Sequence, residues 1–204
     1  MSTTKLDIKR TALLIVDLQN DFLHEKGAYA RGHANLPGAA ALIANMKGVV
    51  DAMRAAGGWI VSTQFTLVPG RGGEPLISPH LQQLRPFLRK GDFQPNGWGH
   101  SLIDELAPAD FVIEKVAYSA FYMTRLEFVL RKLGIETLLI GGIVTNGGVA
   151  STLRDAHVRD FHAMLLTDGC AAFSQQAHDA SVASLGTVAP KLTCAEAVKL
   201  IQAA

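Results

Sequence analysis

Short apolar runs alternate with longer stretches of helical period along this chain. Thr11–Val16 (TALLIV) is continuously apolar, as a strand covered on both faces requires. Pro37–Ala56 carries Leu42, Met46, Val49, Val50 and Met53 at helical spacing and runs into Gly57-Gly58, which predicts a helix and its stop. Trp59–Thr63, Phe111–Glu114, Thr137–Gly141 and Ala163–Thr167 predict further strands. Thr124–Leu133, Gly148–Arg159 and Gln175–Leu185 predict helices. Thr193 with Glu196 makes a capping-box pattern that opens a last one over Cys194–Gln202. Such alternation predicts an α/β fold, a parallel sheet with right-handed crossovers and helices on both faces.

Composition narrows the class. The chain has 204 residues, 49% hydrophobic and 18% charged, which excludes intrinsic disorder and fits one domain over 1–204. Lys and Arg number 19 against 18 Asp and Glu, so no basic surplus points to nucleic acid or to an acidic membrane surface. No apolar run approaches the ~18 residues of a membrane span, and Met1–Arg10 has no apolar leader segment. A cytoplasmic location is expected. The two cysteines, Cys170 and Cys194, make neither a disulfide framework nor a thiolate cage, and Cys170 reads as a buried structural thiol. The histidines lack metal-ligand spacing, so neither a metal nor a cofactor is expected. Residues 64–100 break the rhythm: five of the eight prolines fall there, with at most a short helix near Leu81–Leu88. A loop this long is either a functional lid or partner surface, or an ordered surface excursion.

Ligands of open parallel sheets bind beyond the carboxyl ends of the strands. After the first strand come Asp17, Gln19, Asn20 and Asp21; after the Phe111–Glu114 strand comes Lys115; after Thr137–Ile140 comes the run Gly141 to Gly148, with Thr145 and Asn146 inside it. One Asp after a strand is an ordinary turn former. A carboxylate, an ammonium and a glycine-lined turn together point to a site. Free amides at the start of the helix from Gly148 would suit an oxyanion. The glycines match neither a phosphate loop, since Gly148-Val149 replaces Lys-Ser/Thr, nor a dinucleotide fingerprint. Gln64, Tyr118 and Phe121 are further candidates to touch substrate, although sparse aromatic residues such as these and Trp98 are often core.

These blocks resemble the isochorismatase-like, or cysteine hydrolase, superfamily over nearly the whole chain. The resemblance rests on Leu14-Ile15-Val16-Asp17-Leu18-Gln19-Asn20-Asp21-Phe22 and on Lys115-Val116-Ala117-Tyr118-Ser119-Ala120-Phe121 with Leu126-Glu127. Its third block is Gly142-Ile143-Val144-Thr145-Asn146 continuing to Thr152-Leu153-Arg154-Asp155-Ala156. It implies a six-stranded parallel sheet flanked by helices in three Rossmann-type layers, a small-molecule pocket at the strand ends, and a homo-oligomer, dimer or tetramer. In thiol-using members an Asp and a Lys flank a Cys that attacks an amide carbonyl. By motif, Asp17 and Lys115 match, and the nucleophile position falls on Gly148. The resemblance also implies a non-proline cis peptide at Ile143–Val144 and oxyanion donors on the Val144 and Gly148 amides. Nicotinamidase-like members carry a metal-binding D-x-H pattern after the second strand; here Ser62-Thr63-Gln64-Phe65 stands there, so no metal is implied.

True isochorismatases likewise carry Gly at the nucleophile position and protonate a vinyl ether. They usually show Tyr-Ala-His where this chain has Val144-Thr145-Asn146, whose Thr-Asn pair resembles the amide-cleaving branch. Glycine supplies no nucleophile, so covalent catalysis at 148 is excluded. An aspartate beside an ammonium is favoured in its charged form, which suits a base toward water. An anionic substrate that paired with Lys115 would restore the acid role. Three readings follow. The first is a cofactor-free hydrolase of a small organic acid or amide-like metabolite, working through Asp17, Lys115 and water. The second is a cysteine-type amidohydrolase whose thiol has been replaced by Gly148. The third is a non-catalytic ligand-binding member.

Overall fold

The computed structural model describes residues 6–204. Six strands form one parallel sheet, in the order β3-β2-β1-β4-β5-β6. In chain order the elements are β1 (Thr11–Val16), α1 (Asn20–Leu23), α2 (Ala28–Arg31), α3 (Ala39–Ala55), β2 (Trp59–Phe65), α4 (Pro79–Leu84) and β3 (Phe111–Lys115). There follow α5 (Leu126–Lys132), β4 (Thr137–Ile143), α6 (Ala150–Val158), β5 (His162–Ala171), α7 (Gln175–Leu185), β6 (Lys191–Leu192) and α8 (Cys194–Gln202).

Every residue of β1 is buried, as its unbroken apolar run requires of a central strand. Leu14 and Val16 face a core closed by Leu126 and Leu130 of α5 and Leu153 of α6. Leu13 and Ile15 face the other core, where α3 contributes Met46, Val49, Val50 and Met53 and α8 contributes Ala197 and Ile201. The α3 helix stops where expected. Gly57 adopts φ 71°, and the Gly58 amide returns to Met53 O at 2.9 Å, a C-terminal closure that a left-handed glycine makes available. The capping box of Thr193 and Glu196 is formed at the head of α8. No helix among the described residues is long and apolar enough to cross a membrane.

The order of strands reverses between β1 and β4, which opens a crevice at their carboxyl ends. Gly141 and Gly142 lie inside β4 rather than in a turn. Gly142 has φ 134°, and a Cβ on it would run into the backbone of Val16. Gly142 thus lets β4 press against β1, while a Cβ on Gly141 would run into Met46 of α3 and the Gly169 carbonyl of β5, and the expectation that these two glycines belong to the turn is corrected. The long segment between β2 and β3 is an ordered excursion. Its one helix, α4, is capped by Ser78, whose Oγ accepts from the Leu81 amide at 3.1 Å, with Pro79 at the first position.

Candidate active site

Asp17 follows β1 with a left-handed backbone, φ 56°, a conformation aspartate tolerates better than most residues. Its amide donates to Thr63 O of β2 at 3.2 Å. Its carboxylate is gripped from the two strands beyond. Thr63 Oγ1 donates to Oδ1 at 2.6 Å, and Lys115 Nζ stands 2.6 Å from Oδ2. Sheet register explains the convergence, because Val16 pairs with Thr63 while Phe65 pairs with Lys115, so the ends of β1, β2 and β3 step toward one point. Lys115 also donates to Ala117 O at 2.9 Å and sits 5.7 Å from the centre of the Phe65 ring. The two charged side chains are only 6% and 2% exposed. A pair this deep offsets its desolvation only when short and supplied with further hydrogen bonds, and both conditions hold here.

The third wall comes from β4. The Ile143–Val144 peptide is cis, as the resemblance implies. It leads into a π-helical turn over Thr145–Val149, so α6 begins at Ala150, two residues later than expected. The Gly147 and Val149 amides return to Val144 O at 2.9 and 3.2 Å. The Thr145 hydroxyl is 2.9 Å from His178 Nδ1 on α7, which ties the turn to that helix. Gly148 faces Asp17: a Cβ placed on it would lie 3.4 Å from Asp17 Oδ2, 3.3 Å from Val16 Cγ1 and 3.0 Å from Ile143 O. A Cβ on Gly147 would meet the Tyr118 ring at 3.2 Å, so Tyr118, largely exposed, stands at the mouth beside the turn.

Asp17, Lys115, Gly148, Val144, Thr145 and Tyr118 are therefore brought to one rim. Asn146 lies on the same turn and is exposed. Gln64 and Phe121 are not brought in. Gln64 donates to Ser62 Oγ at 3.3 Å, on the face of β2 opposite Thr63, and its Oε1 is buried with no protein partner among the described residues. Phe121 is buried in the core against Phe161, with ring centres 5.8 Å apart. Sequence reasoning missed Thr63, His178 and Thr152, whose Oγ1 accepts from the Ala120 amide at 3.0 Å and fastens the segment after β3. The available signal for Thr63 was its place in the polar run Ser62-Thr63-Gln64 near the carboxyl end of β2.

The two cysteines lie apart from this centre, and both are buried. Burial pushes the Cys170 thiol up to about 12, and Cys194 is pushed up as well by burial and by nearby Asp168. Neither is a ready nucleophile. Among the described residues no cluster of three or more His, Cys, Asp or Glu side chains is placed to hold a metal ion. A cleft of 740 Å³ opens near the start of β1, between Leu6–Lys9, α3 and the end of α8, away from the charged pair.

Comparison with known proteins agrees with this architecture. Residues 11–197 match the family model described as isochorismatase domain. The chain is 35% identical over 178 residues to the ureidoacrylate amidohydrolase RutB of Pantoea ananatis, covering 78% of this chain and 68% of that protein. Among solved structures, a cysteine hydrolase from Pseudomonas syringae pv. phaseolicola 1448A superposes with a TM-score of 0.83 at 24% identity, over 99% of both chains. The N-carbamoylsarcosine amidase of Thermoplasma acidophilum superposes with a TM-score of 0.66 at 25% identity, over 91% of this chain and 96% of that one.

Proposed function

The chain belongs to the isochorismatase family and is a hydrolase, and on that premise we propose that it cleaves a small carboxylate-bearing amide or ureide through Asp17, Lys115 and water, without a thiol. The observation that carries the reading is the placement of Asp17 Oδ2, 2.6 Å from Lys115 Nζ and facing the α-carbon of Gly148. Asp17 accepts a proton from water as the oxygen adds to the substrate carbonyl carbon. The oxyanion so formed is met by the Val144 amide, at the cis peptide, and by the Gly148 amide in the π-helical turn that follows. Collapse breaks the C–N bond. Lys115 Nζ, in contact with Asp17, passes a proton to the departing nitrogen and is reprotonated from Asp17, so one water is consumed and both products leave neutral or in their ordinary ionised forms. Thr145 and Asn146 line the turn, and Tyr118 flanks the entrance. The likeness to a ureidoacrylate amidohydrolase and to an N-carbamoylsarcosine amidase supports the amide or ureide class.

The fit of a Cβ at position 148, tight but not blocked, favours a second reading in which Gly148 stands where a thiol-using relative carries its cysteine. A ligand-binding member without turnover is the third. The exposed apolar side chains of Val116, Tyr118, Tyr122 and Met123 beside the site support a homo-oligomer, dimer or tetramer. The discriminating experiment incubates wild type and Asp17→Asn with ureidoacrylate, maleamate and isochorismate. Turnover of the ureide or amide by wild type alone is expected. Turnover of isochorismate only would replace the amide reading with vinyl-ether chemistry, and binding without product would leave the third reading standing.

A further inference from the structure

Arg85 stands out among the cations of the excursion. Arg85 and Arg159 are the half-buried arginines of the described residues. Arg159 holds two carboxylates, Glu127 at 3.0 Å and Asp155 at 3.0 Å. Arg85 holds none among the described residues. Its Nη1 donates to Leu84 O at 2.9 Å and its Nε to the Tyr29 hydroxyl at 3.3 Å. The guanidinium lies over Phe173 and Tyr29, 5.0 and 5.6 Å from the ring centres, and those rings are stacked 5.4 Å apart. This packing fixes the fork while leaving Nη2 without a partner among the described residues.

Tyr29 is similarly half-used. It is buried to 6% exposure, and its only hydrogen bond among the described residues is the one it accepts from Arg85, so its own proton has no acceptor. Burial pushes this phenol upward, the Arg85 guanidinium opposes that push only in part, and the phenol stays a neutral donor. Two donors with no acceptor, one charged and one neutral, make a receptor for a planar anion.

The receptor connects with the reaction centre. From Lys115 an aromatic wall runs outward: Phe65 is 5.7 Å from Lys115 Nζ, Phe22 is 6.2 Å from Phe65, and Tyr29 is 4.8 Å from Phe22. Phe22, Phe65 and Phe173 are all half-buried, leaving apolar surface for a ligand. Phe173 follows the carboxyl end of β5, on the same rim as Asp17. Near Asp17 the charges already cancel through Lys115, and Arg31 is spent on Asp92 at 2.6 Å. Arg85 is thus the half-buried cation among the described residues whose charge no carboxylate compensates, and a substrate carboxylate finds its partner there.

We propose that Arg85 and the Tyr29 hydroxyl bind the carboxylate of an elongated substrate whose cleavable amide or ureide lies along the aromatic wall at Lys115 and Asp17. This deepens the function proposed above by giving the excursion the role of selecting acids over neutral amides. Arg85 and Tyr29 are specificity-determining residues and take no part in moving protons.

The test reads binding, in the Asp17→Asn background so that turnover does not interfere. The probes are 3-ureidopropionate and its neutral counterpart 3-ureidopropionamide, titrated by calorimetry. The acid is expected to bind roughly ten- to hundredfold tighter than the amide. Adding Arg85→Gln should collapse that preference while leaving the Kd of the amide and the melting temperature in place. Adding Tyr29→Phe, which keeps the ring, should reduce it severalfold. Equal binding of the two probes, no binding of the acid, or a preference that survives Arg85→Gln each overturns the proposal. Failure of the hydrolase reading appears separately, as wild type without turnover, and leaves this binding result interpretable.

Discussion

Asp17 and Asp21 are both buried aspartates just past the end of β1, yet the regions around them do opposite things. Around Asp17 the partners are side chains from β2 and β3, a hydroxyl and an ammonium, and the carboxylate faces a glycine. Around Asp21 the partners are backbone amides: Oδ1 accepts from Ala28 at 3.0 Å and Oδ2 from Phe93 at 2.6 Å. Gly99 packs against the same carboxylate so closely that a Cβ would collide with it. Asp21 is thus a brace that fastens the excursion to the sheet, and burial pushes its carboxyl upward. Gln19 and Asn20 brace the same segment, Gln19 Nε2 donating to Phe65 O and His100 O, and Asn20 Nδ2 to Trp98 O. The contrast teaches that a carboxylate becomes chemically useful when its partners are movable protons rather than fixed amides.

The sharpest way to break that contrast is to make the same substitution at both places. Asp17→Asn should lower turnover by about 10²–10⁴-fold, and because it leaves the Lys115 ammonium buried without its carboxylate it should also cost about 3–5 kcal/mol in urea unfolding. Asp21→Asn should turn an amide donor toward one of two amide donors and cost about 1–3 kcal/mol in urea unfolding, without a comparable loss in kcat. If the two variants behaved alike, the division between chemistry and brace would be wrong.

Removing the ammonium tests the other half of the pair. Lys115→Met should leave Asp17 buried beside an apolar group and destabilise the fold by about 3–5 kcal/mol, measured by the urea midpoint, with activity lost as well. Thr63→Val is the milder probe. It removes one hydrogen bond to Oδ1 without changing shape, and about 0.5–1.5 kcal/mol of stability should go with it. A Thr63→Val protein as impaired as Lys115→Met would mean that the hydroxyl, not the ammonium, holds the carboxylate.

A smaller effect is expected on the brace side as a function of pH. Burial holds the His100 imidazole below its ordinary value, with Nε2 2.8 Å from Thr66 Oγ1, and carboxylates of Glu114, Asp21 and Asp17 oppose that push only in part. The unfolded chain then binds more protons than the folded one just below the ordinary value of 6.5, so stability is lost as pH falls from there. Asp21 acts in the opposite sense, since its raised carboxyl favours the folded state as pH falls toward 3.8. The His100 contribution is therefore read as the difference between wild type and His100→Gln. Wild type should lose more of its melting temperature between pH 7 and 5 than the variant.

Much of this architecture is legible in the chain. β1, α7 and α8 fall where they are expected, because their signals are local: an unbroken apolar run, a helical stretch that the structure shows capped by Ser174, and a capping box. The strands that reach the site were under-read at their carboxyl ends. Gln64-Phe65 and Gly142-Ile143 lie beyond the expected strand ends at Thr63 and Gly141, yet they continue the ladder because neighbouring strands supply partners. β6, only Lys191–Leu192, has no pattern to read, and a sixth strand was expected from the family resemblance alone. Asp17 and Lys115 were visible as polar residues after apolar runs. What separates Asp17 from Asp21, and brings Thr63 into the site, is pairing across dozens of residues that no local window contains.

The account rests on hydrolysis centred on Asp17 without sulfur, and exhaustive treatment with iodoacetamide tests it most directly. Wild-type thiols are buried, with Cys170 pushed up to about 12, so the treated enzyme should turn over its ureide or amide substrate at the untreated rate. Gly148→Cys, carried through the same treatment, should take up label and lose whatever activity its new thiol confers. A wild-type enzyme silenced by alkylation would contradict the account.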